Sequence, residues 1–179
     1  MASERIQLHP VGTIVFGSET VRLDGEYLIC AGCRELGYCR FGATREDILE
    51  DGTHRVELTC PAGYAGAPGI AHGGWTSAIL DELLGHLAIY QGRFTVTSTL
   101  TVKYIRPVPV ERPLIGLSWV ERRENGVWHN VGEIRLASTN ALLAKGNGVF
   151  MEREQAHFAQ HEERLRQIDQ NGGLKRQGA

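Results

Sequence analysis

The chain has no surplus of charge of either sign. Its 19 Lys and Arg against 21 Asp and Glu leave a formal charge of −2, which gives no electrostatic pull toward nucleic acid or an anionic membrane surface. Long apolar runs are missing as well: nothing approaches the ~20 consecutive apolar residues that span a bilayer. The opening MASERIQLHPVG lacks the apolar stretch of a secretory signal, and no Asn-x-Ser/Thr sequon occurs. What remains is ordinary for a soluble globular domain, with 42% hydrophobic and 22% charged residues. A chain of 179 residues is long enough for one domain with a core of its own. A cytoplasmic protein is the expectation.

Cysteine is scarce. Cys30, Cys33 and Cys39 form a C-x2-C-x5-C cluster, and Cys60 stands apart. A zinc site needs a fourth ligand, which Cys60 or His54 could supply. Zinc ribbons carry two paired knuckles, however, and only one pair is present. A disulfide does not suit a reducing compartment. Small buried thiols, with no metal, are expected.

Internal repeats and linkers are also absent. Residues 1–53 read as an irregular extension of the same unit, with short strand-like pieces at 13–16 (TIVF) and 27–30 (YLIC). Residues 54–151 read as the main domain and 152–179 as a charged helix with a disordered tail over the last nine residues. In the middle segment RVELTC (55–60) alternates like a strand, and PAGYAGAPG (61–69) is a loop. A helix of about five turns is expected from Gly73 to Tyr90, stopped by QGR. The Thr- and Val-rich stretch 94–105 follows, then two strands joined at Asn125-Gly126, a strong hairpin signal, then a last strand at 141–151 with a glycine-bent middle. The order is strand, one long helix, four strands, which implies an α+β fold with one antiparallel sheet around or against the helix.

That helix raises a question, because Asp81 and Glu82 sit side by side among leucines. At ~100° per residue, Ile79, Leu80, Leu83, Leu87 and Tyr90 cover the core side. Asp81 falls on the other side, in line with Gly74, Ser77, Ala78, Gly85 and Ala88. Small residues there let a ligand or another backbone approach. The plain reading of Glu82 is an i,i+4 pair with His86, and of Asp81 a solvated surface charge. Gly73 and Gly74 could serve packing or a turn. They could equally present unpaired helix-start N–H groups to a developing negative charge. With a carboxylate as base or nucleophile, such a start is equipment for acyl transfer. Gly73 and Asp81 are about 12 Å apart along one helix, too far to act on one carbonyl. The enzyme reading therefore requires a two-fold dimer with antiparallel helices.

GAPGIAHGGWTSAILDELLG followed by TLTVKYIRPVPVERPL resembles the PaaI-like branch of the hotdog-fold acyl-CoA thioesterases, and the resemblance extends over roughly residues 27–151. It implies five antiparallel strands wrapped around one long helix. It also implies a homodimer or a tetramer of two such pairs, and hydrolysis of an acyl-CoA or carrier-protein thioester without a cofactor. Carried over by position, Asp81 would be nucleophile or general base, and the Gly73 N–H would polarise the thioester carbonyl. His72 would shape the loop, and Thr97 would hold the attacking water or the carboxylate. Gly74, Trp75 and Glu82, beside them on the helix, are expected to contact substrate. Two positions depart from the family pattern: Gly66 stands where an asparagine is usual, and RELGYC follows the C-x2-C pair in place of Asn-Pro. Two other functions keep the same fold. An acyl-thioester dehydratase or hydratase would need His54 as its histidine, and a non-catalytic acyl-CoA-binding protein would need no base at all.

Overall fold

The computed structural model of the protein describes residues 13–16, 19–22, 30–154 and 156–171. The strand expected at 27–30 and the tail expected to be disordered lie outside these, apart from Cys30 and Asn171. A short hairpin, β1 (Thr13–Phe16) and β2 (Glu19–Arg22), comes before helix α1 (Ala31–Leu36). Strands β3 (Ala43–Ile48) and β4 (His54–Thr59) follow, then a 3-10 turn at Ala62–Tyr64 and the small hairpin β5 (Ala65–Ala67) and β6 (Ile70–Ala71). The long helix α2 spans Gly73–Ile89. After it come β7 (Thr95–Tyr104), β8 (Pro113–Glu124), β9 (Val127–Leu136), β10 (Leu142–Glu152) and helix α3 (Ala156–Asn171).

Six strands form one antiparallel sheet in the order β3-β4-β8-β9-β10-β7. Helix α2 packs against β4, β7, β8, β9 and β10, the hotdog arrangement implied by the resemblance. The sheet has one strand more than the five expected. Residues ATREDI of β3 are too polar to read as a strand, but they pair with β4 through a bulge at Thr44, where Ala43 faces Leu58 and Arg45 faces Glu57. The β8–β9 turn is the expected one: Asn125 and Gly126 both adopt positive φ, 49° and 74°, as a two-residue hairpin of this kind requires.

Leu80, Leu83, Leu84 and Leu87 of α2 are each no more than 1% exposed. Burying each one stabilises the fold by roughly 1.5–3 kcal/mol. Glycines in the sheet let the helix sit this low. A Cβ built at Gly116 would lie 2.8 Å from both Leu83 methyls, one at Gly132 3.0 Å from Leu84, and one at Gly146 3.3 Å from Leu80. The glycines of 141–151 therefore make room for a helix, where the sequence suggested a bend. Gly116→Val is expected to cost about 1–3 kcal/mol through overpacking, measured as a lower denaturation midpoint in urea.

Polar groups of the sheet tie the helix down as well. Ser118 Oγ donates to the Leu83 carbonyl at 2.7 Å, and Asn130 Nδ2 donates to the Leu84 carbonyl at 2.8 Å. The thin apolar stripe of α3 stays at the surface, with Leu165 47% and Ile168 56% exposed.

Candidate active site

Asp81 lies half-buried on the outer face of α2, between Ser77, Ala78, Glu82 and Gly85, which are also partly exposed. Ala88, placed on the same stripe by periodicity, is fully buried, so the stripe is narrower than the spacing suggested. The groove over Asp81 is walled by Cys30, Glu82, Gly85, His86, Ile89, Thr95, Thr97 and Phe150. Thr97 Oγ1 donates to Asp81 Oδ1 at 2.9 Å.

A break in strand alternation puts Thr97 there. Along β7, Leu100 pairs with Gly148 and Thr99 with Val149, but Phe150 then pairs with Thr97, leaving Ser98 as an extra residue. That bulge reverses the parity of the strand end and turns Thr97 and Thr95 toward the helix, an effect typical of bulges beside functional groups. Burial raises the Asp81 carboxyl above the ordinary aspartate range. The Thr97 hydroxyl opposes this, the Glu82 charge adds to it and the His86 charge opposes it.

The start of α2 forms a second, separate surface. His72 is the N-cap, and its Nδ1 accepts the Gly74 N–H at 2.9 Å. The neutral ring therefore carries its proton on Nε2. Only one of the two expected N–H donors is left open, since among the described residues Gly73 N–H has no partner. Tyr104 Oη donates to the Gly73 carbonyl at 3.1 Å and lies 2.7 Å from Ser77 Oγ, bracing this turn. Gly73 lines a shallow groove with Ile70, Thr76, Tyr104, Ile105 and Val108, which shares no residue with the Asp81 groove.

Gly66 explains itself here. A Cβ on it would lie 2.9 Å from His72 Cα, so a larger residue would push the cap out of place.

Behind the Asp81 groove is a buried chain of ionisable groups. His86 Nε2 meets Glu82 Oε2 at 3.0 Å, the i,i+4 pair expected from sequence, and His86 Nδ1 meets Glu46 Oε2 at 2.8 Å. The same Glu46 oxygen lies 3.0 Å from His54 Nε2. Two carboxylates hold the His86 imidazole charged, well above its ordinary pKa despite its burial. Glu46, His54 and His86 also bring one ligand-type atom each within 4.8 Å of one another, as a cation site would. The contacts from Glu46, at 2.8 and 3.0 Å, are shorter than the about 3.3 Å between ligands of a tetrahedral zinc ion. They are the lengths of charge-assisted hydrogen bonds. The four cysteines are free thiols. Cys33 and Cys60 are buried as expected, but Cys30, at the wall of the Asp81 groove, and Cys39 are only half-buried.

Residues 68–135 match the family model described as the thioesterase superfamily. Among curated proteins the chain is similar to mouse (Mus musculus) acyl-coenzyme A thioesterase THEM5, 30% identical over 87 residues. The aligned stretch is 49% of this chain and 35% of the mouse protein, so the chain spans about a third of that relative's length. In fold it is similar to the E. coli PaaI protein from the phenylacetic acid degradation operon, with a TM-score of 0.57, 20% identity and coverage of 70% of this chain and 86% of that one. It is also similar to a thioesterase protein of Streptococcus pneumoniae TIGR4 solved with coenzyme A, with a TM-score of 0.57, 17% identity and coverage of 62% and 89%. Structures of that protein were also solved with an aspartate and, sixteen residues later, a threonine changed to alanine.

Within residues 68–135 the structure brings Asp81, Thr97 and Glu82 together, and puts His72, Gly73 and Gly74 at the far end of the helix. Trp75 joins neither group. It is 2% exposed in the core, with its indole N–H on the Phe41 carbonyl at 3.3 Å. Sequence reasoning missed Glu46, which looks like one charge among several in TREDILE. Its one signal is the spacing of two from Ile48, which faces the core. No helix among the described residues is long and apolar enough to cross a membrane.

Proposed function

We propose that the protein is an acyl-CoA thioesterase whose sites form between two copies of the chain, with Asp81 from one and the Gly73 N–H from the other. The observation that carries this reading is the Thr97–Asp81 hydrogen bond of 2.9 Å, made possible by the Ser98 bulge. It fixes a carboxylate of raised basicity in an open groove. The sixteen-residue spacing of Asp81 and Thr97 equals that of the aspartate and threonine replaced in the S. pneumoniae protein, whose coenzyme A supports an acyl-CoA substrate.

The chemistry follows from these groups. Asp81 accepts a proton from water as the water oxygen bonds to the thioester carbon. The carbonyl oxygen takes up negative charge and accepts the open N–H of Gly73 of the partner subunit. The C–S bond then breaks, and the thiolate of coenzyme A leaves with the proton that Asp81 took up. Direct attack by Asp81, through a mixed anhydride, uses the same groups. A hydratase would need His54 in the groove, and its full burial against Glu46, Ser118 and Leu83 argues against that.

The dimer is inferred from the separation of the two halves and from β7. Among the described residues this ten-residue strand ends the sheet with one edge unpaired, a liability that proteins cover. A second copy pairing there antiparallel sets the two α2 helices antiparallel and Asp81 of each near Gly73 of the other.

Complementation tests the arrangement. Gly73 occupies the first helical position, where proline is tolerated, and His72 before it has the extended ψ of 140° that suits a pre-proline residue. Gly73→Pro therefore removes the N–H with little disturbance. Asp81→Asn and Gly73→Pro homodimers are each expected to be inactive. An equal mixture, after unfolding and joint refolding, is expected to recover about a quarter of wild-type activity, because half the dimers are mixed and each has one intact site. No recovery, with dimers confirmed by light scattering, would place both groups in a single-chain site and overturn this reading.

A further inference from the structure

Glu82, His86 and Glu46 remain unused by the reaction above. Glu82 shares the Asp81 groove but is not a free base, since its Oε2 lies 3.0 Å from His86 Nε2. His86 is not free either: its other nitrogen lies 2.8 Å from Glu46 Oε2, and its side chain is 10% exposed. Glu46 comes from a different element, edge strand β3, and does not line the groove. The sheet thus reaches past the helix to hold one histidine ring, and that ring holds the carboxylate next to Asp81.

We propose that Glu82, His86 and Glu46 are positioning residues that set the protonation of Asp81: Glu82 places a fixed negative charge beside it, and His86, clamped by Glu46, places a fixed positive one. The proposal rests on the reading of Asp81 as the base, and it explains why two carboxylates stand side by side on this helix. One is locked into an ion pair, so the other acts alone, with a basicity fixed by its neighbours. Among the described residues, the titratable groups facing this set are Cys30 beside Glu82 across the groove, His54 of β4, whose ring centroid lies 6.2 Å from that of His86, and Tyr90 at the end of α2, which feels the Glu46 charge and whose ring centroid lies 5.3 Å from that of His54. The Thr97 hydroxyl from β7 is the direct hydrogen-bond partner of Asp81. The two fixed charges act on Asp81 in opposite senses, Glu82 raising its pKa and His86 lowering it.

The opposition supplies a test that a merely structural role cannot imitate. The Asp81 carboxyl is followed by carbon NMR from pH 3 to 9 in protein labelled at the aspartate carboxyl carbon, assigned by its loss in Asp81→Asn. The acidic limb of kcat/KM for acyl-CoA hydrolysis is measured alongside. Glu82→Gln is expected to move both titrations to lower pH. His86→Gln is expected to move both to higher pH, and Glu46→Gln to move them the same way by less. If His86→Gln does not fold, Glu82→Gln and Glu46→Gln still give the two opposite directions. An Asp81 titration unmoved by Glu82→Gln, or moved the same way by all the variants, overturns the proposal. So does zinc found in the purified protein at one per chain and lost in Glu46→Gln. Opposite NMR shifts in a protein without hydrolase activity would uphold the electrostatic arrangement and overturn the proposed function instead.

Discussion

Asp81→Asn is expected to lower kcat/KM for acyl-CoA hydrolysis by about 10²-fold or more, the loss that follows removal of a general base, without lowering stability. The second half follows from the direction of the pKa shift. Asp81 is raised in the folded protein, mainly by burial. A group raised on folding contributes most to stability below its unfolded pKa, and that contribution is lost as pH rises through the folded pKa. At neutral pH the ionised Asp81 is therefore a cost to the fold. Asparagine removes the charge and keeps an oxygen to accept the Thr97 hydroxyl, 2.9 Å away in the wild type. The melting temperature of Asp81→Asn at pH 7 should equal or exceed that of wild type. A variant inactive and also clearly less stable would mark Asp81 as part of the fold, not of the chemistry. Such a gain in stability on losing a functional charge is the usual trade at active sites.

The contrast between Asp81 and its neighbours shows where the sequence was informative. The long helix could be located because Ile79, Leu80, Leu83, Leu87 and Tyr90 keep one helical period for about three turns. The β8–β9 hairpin could be located because Asn125-Gly126 suits positive φ at both positions. Those are local signals, carried within a few residues. The role of Thr97 came from resemblance, and strand parity alone would have turned it outward. Only the pairing of Phe150 with Thr97 shows the bulge that turns it in, and pairing is a property of two strands. Gly66, a departure from the family pattern with no account in the sequence, is explained by His72 pressing against it. The glycines at 116, 132 and 146 likewise make sense only with the α2 leucines above them. Glu46 was illegible for the same reason, because its partner His86 is 40 residues away and nothing in TREDILE sets one acid apart from the others.

Glu46 also carries the largest expected effect on stability. Its side chain is 14% exposed and that of His86 10%, so their contact at 2.8 Å is a buried ion pair. Removing Glu46 leaves the His86 charge with only the more exposed Glu82 beside it, which costs up to about 3 kcal/mol. Burial alone would raise the Glu46 carboxyl, but the His86 charge and the hydrogen bonds from His54 and His86 reverse this and hold it well below the usual range. His86 is shifted the other way, upward, by Glu46 and Glu82 in spite of its burial. These opposite shifts define a pH window. The Glu46 contribution is complete above its ordinary value of 4.5 and fades as pH falls through the depressed folded value. The His86 contribution is complete below its ordinary value of 6.5 and fades as pH rises through the elevated folded value. Urea denaturation of wild type and Glu46→Gln should therefore show the widest gap, up to about 3 kcal/mol, near pH 5.5. The gap should narrow below pH 4.5, where the unfolded chain takes up the Glu46 proton before the folded one does, and again above pH 6.5, where the unfolded chain gives up the His86 proton first. A gap of the same size across the whole range would mean that Glu46 holds the sheet edge by shape and hydrogen bonding, with no charge on its histidine.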